Sequence, residues 1–271
     1  MKLHRLTVRR LKANESRENV VRIIITLCAL SISSCAGMGP APEVRERTEQ
    51  VVTHRVEAGE TWKTMARDFY GDERRGALLA RDNGRDESEP PGAGSAVRVF
   101  LTARDVKRIQ GRLDAAREYN EGLDLVSGGN YAAAVPKFEE AVKLDPFFND
   151  ASFNLAVSYE KLGFHEKALT ILEDLVEVSP GNPDYRYALG ASLFAGGDLG
   201  GAEKAFREAL AREPAHRKSL FSLAVVLEKR GKTEEAKSRF REYLALDPDG
   251  EWGDAARSRI EALERGGGGD H

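Results

Sequence analysis

From about Ala115 onward the apolar and small positions recur every 34 residues, marked by Pro146, Pro180, Pro214 and Pro248. Counting back from each proline, the same residue types return. A small residue (Gly122, Ala156, Gly190, Ala224) predicts close approach of two helices, and a glycine (Gly129, Gly163, Gly197, Gly231) predicts the end of the first. Alanine follows at Ala134, Ala168, Ala202 and Ala236, and four residues later Phe138, Leu172, Phe206 and Phe240 are predicted to fill the space between helices. The pattern divides the region into 115–148, 149–182, 183–216 and 217–250, each a helix hairpin that cannot bury its apolar face alone. Residues 251–265 read as a capping helix, amphipathic through Trp252, Ala255, Ile260 and Leu263, and 266–271 as a disordered tail.

Upstream the period changes. Val51–Val56 is β-branched and predicts a strand. Trp62, Met65, Ala66 and Phe69 follow helical spacing up to Gly71, Arg75–Asn83 reads as a second short helix, and Ala96–Leu101 alternates as a strand. The order β-α-α-β over residues 51–101 predicts a small two-layer domain, and 102–114 a helical connector. Residues 35–50 lack a periodic apolar pattern and read as a tether.

The first 34 residues differ again. A basic segment ends at Arg22 and an apolar run, Ile23–Ser33, follows; it is about half of what a permanent membrane span requires. These residues read as a signal peptide. They carry seven Lys/Arg and two acids, which leaves 34 basic against 42 acidic residues in the rest. That acidic body argues against a nucleic-acid partner. Cys35 closes the apolar run, and Ile32-Ser33-Ser34-Cys35 resembles the bacterial lipobox. The resemblance implies cleavage before Cys35, lipidation on it and a membrane anchor there; the alternative is a plain secretory signal with a chance cysteine. Ala36 in place of an aspartate is the arrangement expected for the outer membrane, facing the periplasm of a two-membrane bacterium.

Gly59-Glu60-Thr61-Trp62-Lys63-Thr64-Met65-Ala66, then Phe69-Tyr70-Gly71-Asp72 and Leu79–Asn83, resemble the landmarks of a LysM domain in order. The resemblance implies binding of N-acetylglucosamine glycans, here peptidoglycan strands, by Gly59, Glu60, Thr61, Trp62, Asp82 and Asn83. Trp62 also fits a core position, and Asn83 a helix cap. The second loop departs from the family: Pro91-Gly92-Ala93-Gly94 replaces the usual Leu-x-Pro-Gly after a charged run.

The 34-residue array resembles tetratricopeptide repeats. The expected fold class is therefore mainly α: a tetratricopeptide α-solenoid of four hairpins and a cap, preceded by a small α+β LysM domain. In that family the fifth position of each repeat lines a concave groove. Here it is Tyr119, Phe153, Tyr187 and Phe221, continued along each helix by Leu123, Val157, Phe194 and Val225. The expectation is an apolar groove flecked with Glu160 and Glu228 that binds a hydrophobic or helical protein segment; the alternative is that the rings pack between repeats. Family members that hold a terminal carboxylate use clustered Lys and Arg, whereas aromatics hold those positions here.

No catalytic constellation is legible. The five histidines are scattered, and His165-Glu166 lacks the second ligand of a zinc-protease motif because Leu169 stands in its place. No cofactor and no metal site is expected. The sequence thus reads as a non-enzymatic envelope adaptor that holds peptidoglycan and a periplasmic protein. The alternative is a pilotin-like assembly factor for an outer-membrane machine, with a LysM domain that binds no glycan.

Overall fold

The computed structural model describes residues 48–266. The readings placed on residues 1–47, Cys35 among them, and on 267–271 lie outside the described residues. The described chain divides into two units, one ending at Arg117 and one beginning at Glu118.

In the first unit, β1 (Thr48–Arg55) pairs antiparallel with β2 (Ala96–Thr102), with Val52 opposite Val99 and His54 opposite Val97. β1 begins three residues before the predicted strand; Thr48, Glu49 and Gln50 are polar, so the apolar pattern did not mark them. Inward Val52, Val97, Val99 and Leu101 meet one face of α1 (Trp62–Tyr70). Thr61 caps α1 through a reciprocal pair with Thr64, and Gly71 closes it at φ 68°, a left-handed conformation that disfavours a side chain. A 3-10 turn (Glu73–Arg75) leads into α2 (Gly76–Asp82), which adds Leu79 and Ala80 to the core.

A single helix, α3, runs from Ala103 to Ser127. Its early residues belong to the first core, where Ile109 is buried and Val106 and Leu113 pack alongside. Asp105 is 2% exposed; its carboxylate accepts from the Thr102 N–H (3.0 Å) and hydroxyl (2.8 Å) and pairs with Arg75 (3.2 Å). Arg108 donates to the carbonyls of Phe69 and Tyr70, and Arg112 to that of Asp68 (2.9 Å). These carbonyls end α1 and have no partner within it, so two guanidinium groups satisfy them where the helix dipole is negative.

The second unit continues with α4 (Tyr131–Leu144), α5 (Asn149–Lys161), α6 (His165–Val178), α7 (Pro183–Ala195), α8 (Leu199–Arg212), α9 (Arg217–Lys229), α10 (Thr233–Leu246) and α11 (Gly253–Gly266). The turn inside each hairpin places its glycine, Gly129, Gly163, Gly197 or Gly231, at φ between 74° and 86°. Ala134, Phe138, Leu172, Phe206, Ala236 and Phe240 are all at or near full burial. A Cβ on Gly122 would lie 2.5 Å from Phe138, and one on Gly190 2.7 Å from Phe206. In α11 Ala256, not Ala255, turns to the core: Ala256 is fully buried and Ala255 exposed, because Ala256 lies four residues before Ile260 and seven before Leu263 on the same helix face.

Glu203 of α8 is 7% exposed and meets three cations: Arg207 (2.9 Å), Arg230 (2.6 Å) and Lys232 (2.9 Å). This cluster ties the third hairpin to the turn of the fourth. Among the described residues no helix is long and apolar enough to cross a membrane.

Candidate functional site

The first helix of each hairpin carries the row of residues expected to form a groove, and packing between neighbouring hairpins decides which are accessible. Tyr119 is 2% exposed, held between Phe138 (centroids 5.8 Å) and Phe148 (4.8 Å), and its Oη accepts from Asn154 Nδ2 at 2.9 Å. Burial pushes its phenol well above the usual range, so the ring stays neutral. Leu123, Val157 and Val225 are also buried. These four residues are core, a correction to the expected groove, whereas the fifth positions of the other hairpins are covered only in part.

Phe153, Tyr187, Phe194 and Phe221 remain half-buried. Phe153 packs on Tyr185 (5.4 Å), whose phenol is pushed up to about 12 by burial and then by Asp150 and Asp184. Tyr187 sits against Phe206 (5.8 Å) and His216 (5.6 Å). Phe221 stacks on Trp252 at 5.0 Å. The accessible aromatic surface therefore lies mainly on α7 and α9.

The acidic flecks are already engaged. Glu160 accepts from the Ser192 hydroxyl and lies 2.9 Å from His165 Nδ1, while Glu228 pairs with Arg259. Sequence reasoning passed over Lys218 and Lys229, whose ammonium groups lie 5.8 Å from the ring centroids of Tyr187 and Phe194 respectively. Helical spacing held the signal: Lys218 is three residues before Phe221, and Lys229 is four after Val225.

In the small unit, Gly59 is exposed at φ 89° and Thr61 serves as the α1 cap. Glu60 is occupied: Oε2 lies 2.7 Å from His54 Nε2 and accepts from the Glu57 N–H at 2.7 Å. His54 is itself buried and leaves Nδ1 without a partner among the described residues. Trp62 is 3% exposed and donates through Nε1 to the Glu89 carbonyl at 2.6 Å. Its ring is core, the alternative its helical position also fitted, so Trp62 drops out of the glycan contacts that the LysM resemblance implies. Asn83 donates to the carbonyls of Leu79 (2.9 Å) and Arg98 (2.8 Å) and accepts from Arg98 N (2.8 Å). Its amide copies a strand's pairing along β2 and caps α2, so it too is committed to the fold. Asp82 is half-buried. Of the six expected glycan contacts, Gly59 and Thr61 lie exposed on the loop, with Thr61 engaged as the α1 cap. Among the described residues no His, Cys, Asp and Glu groups converge as a metal site.

Residues 119–183, 156–210 and 187–251 each match the model of the tetratricopeptide repeat family. The second unit is a tetratricopeptide array. Among curated relatives, the TPR repeat-containing protein YpiA of Bacillus subtilis (strain 168) is 30% identical over 154 residues, 56% of this chain and 36% of YpiA. Intraflagellar transport protein 70B of Mus musculus is 33% identical over 91 residues, 34% of this chain and 14% of that protein. The chain thus spans little more than a third of one of these relatives and a seventh of the other. The tetratricopeptide fold also appears in a crystal structure of MamA, with a TM-score of 0.52 at 19% identity, covering 57% of this chain and 83% of that one.

Proposed function

We propose that this protein is a non-enzymatic adaptor of a bacterial envelope. In this reading the tetratricopeptide array captures a segment of a partner protein, the LysM-like unit holds peptidoglycan, and lipid on Cys35 anchors the chain to the outer membrane. The observation that carries the reading is the array itself, a stack of hairpins that leaves Tyr187, Phe194 and Phe221 half-buried on one row of helices. The β-α-α-β order of the small unit and the open loop at Gly59–Thr61 support the glycan arm. With Trp62 and Asn83 committed to the fold, that arm rests on the exposed loop around Gly59 and calls for weak affinity.

Sedimentation of the full chain with purified sacculi tests the glycan arm: the protein is expected in the pellet and released by soluble chitin oligomers, and full retention in the supernatant would overturn that arm. Intact mass after membrane extraction tests the anchor, where the Cys35→Ala chain is expected to lose the acyl mass. Crosslinking mass spectrometry in cells is expected to place partner crosslinks on the lysines of α9; crosslinks confined to residues 48–117 would overturn the capture role of the array.

A further inference from the structure

The charged side chains on the inner helices of the second, third and fourth hairpins are almost all engaged. On α5, α7 and α9, Glu160, Arg186, Arg217 and Glu228 each have an ion pair. Asp150, Lys161 and Asp184 have electrostatic or hydrogen-bonding partners as well. Lys218 and Lys229 are different. Among the described residues each has only a ring beside it, at 5.8 Å, near the outer limit of a cation–π contact. Both ammonium groups therefore keep donors available on the row that exposes Tyr187, Phe194 and Phe221.

From this arrangement we infer that the inner face of α7 and α9 takes an acidic, apolar protein segment: side-chain carboxylates meet Lys218 and Lys229, and apolar side chains rest on the rings between them. The inference rests on the reading that the array binds a protein partner, and it specifies the partner's chemistry. Glu160 and Glu228 are already engaged, by Ser192 and His165 and by Arg259, whereas the two lysines favour an anionic segment. The spacing sets the segment's geometry. Eleven residues on α9 are three turns, which puts the lysines on one face about 16 Å apart. An extended chain covers that span in about five residues. The carboxylates belong to side chains within the segment, so a free C-terminus is not required.

The test uses the full chain and three fluorescent, end-blocked eight-residue peptides. Each has a leucine- and phenylalanine-rich centre between two glutamates, two glutamines or two lysines set four residues apart, so that both end groups project from one side of the extended segment. The glutamate peptide is expected to bind about tenfold more tightly than the glutamine peptide, as two partly exposed ion pairs allow, with the advantage fading in high salt. Lys218→Gln with Lys229→Gln should erase that advantage, and Lys218→Glu with Lys229→Glu should transfer it to the lysine peptide. Lys229 is exposed and Lys218 half-buried, and an unchanged thermal melt would confirm folding. Equal binding of the three peptides, or a glutamate preference that survives charge reversal, overturns the inference and leaves protein capture standing. If none of the three binds at millimolar concentration, both fall.

Discussion

At the scale of single residues, one methyl group decides how close two helices come. Gly122 and Gly190 face Phe138 and Phe206 so closely that a Cβ would overlap the ring. Gly122→Ala is therefore expected to destabilise the array by about 1–3 kcal/mol through overpacking. The second hairpin shows the remedy, since it combines Ala156 with the smaller Leu172. Adding Phe138→Leu to Gly122→Ala should recover much of the loss, read as a positive coupling in urea unfolding. Glu203 makes a second, pH-dependent case. Burial raises its carboxyl pKa, but hydrogen bonds from Lys232 and Arg207 outweigh burial and hold it below the ordinary 4.5. A depressed folded-state value means stability that is present above the unfolded value and lost as pH falls through the folded one. Glu203→Gln should cost roughly 1–3 kcal/mol at pH 7, and the gap to the parent should narrow as the pH falls below the ordinary 4.5 in melts across the range. Core positions like these were legible because each recurs four times. The groove was not, because a position in the repeat fixes where a side chain points but not how fully the next hairpin covers it; Tyr119 and Phe153 share a position and differ in exposure.

At the scale of elements, α4 carries Pro136 in its interior, where the other hairpins have Thr170, Lys204 and Ser238. Proline there removes a backbone donor and crowds the carbonyl of Ala132. Pro136→Ala is expected to stabilise the array by about 1–3 kcal/mol, visible as a higher urea midpoint with an unchanged slope. The length of α3 shows the limit of periodicity. The charged stretch from Ala103 to Asp114 reads as helical, but the 34-residue pattern begins only at Ala115, so nothing in the sequence marks one helix running through to Ser127. Nor does local spacing foretell that Arg108 and Arg112 reach back about forty residues to finish α1.

For the whole molecule, stability in the second unit follows nearest-neighbour logic, with each hairpin supported by the one beside it. α11 closes the stack: Ala256 is buried, and Trp252, Ile260 and Leu263 pack against the core of the fourth hairpin. A chain ending at residue 250 is expected to unfold at lower urea. Its earliest loss of amide protection should fall in α9 and α10 by hydrogen exchange, with α5 and α6 less affected. The reading of four hairpins and a cap was accessible from the sequence because the repeat carries its own internal controls. The small unit offers no such repetition, and its loop chemistry emerged only with the hydrogen bonds of Glu60, Trp62 and Asn83.

The chain has two tryptophans, and they fall one to each unit. Trp62 is sealed in the first core, while Trp252 is half-buried against Phe221 at the end of the interaction row. Their emission should differ in wavelength and in access to a soluble quencher. Trp62→Phe and Trp252→Phe would isolate each signal without any label. One unmodified chain thus carries two optical reporters, one for the melting of each unit, and the second also answers when a ligand settles beside Phe221.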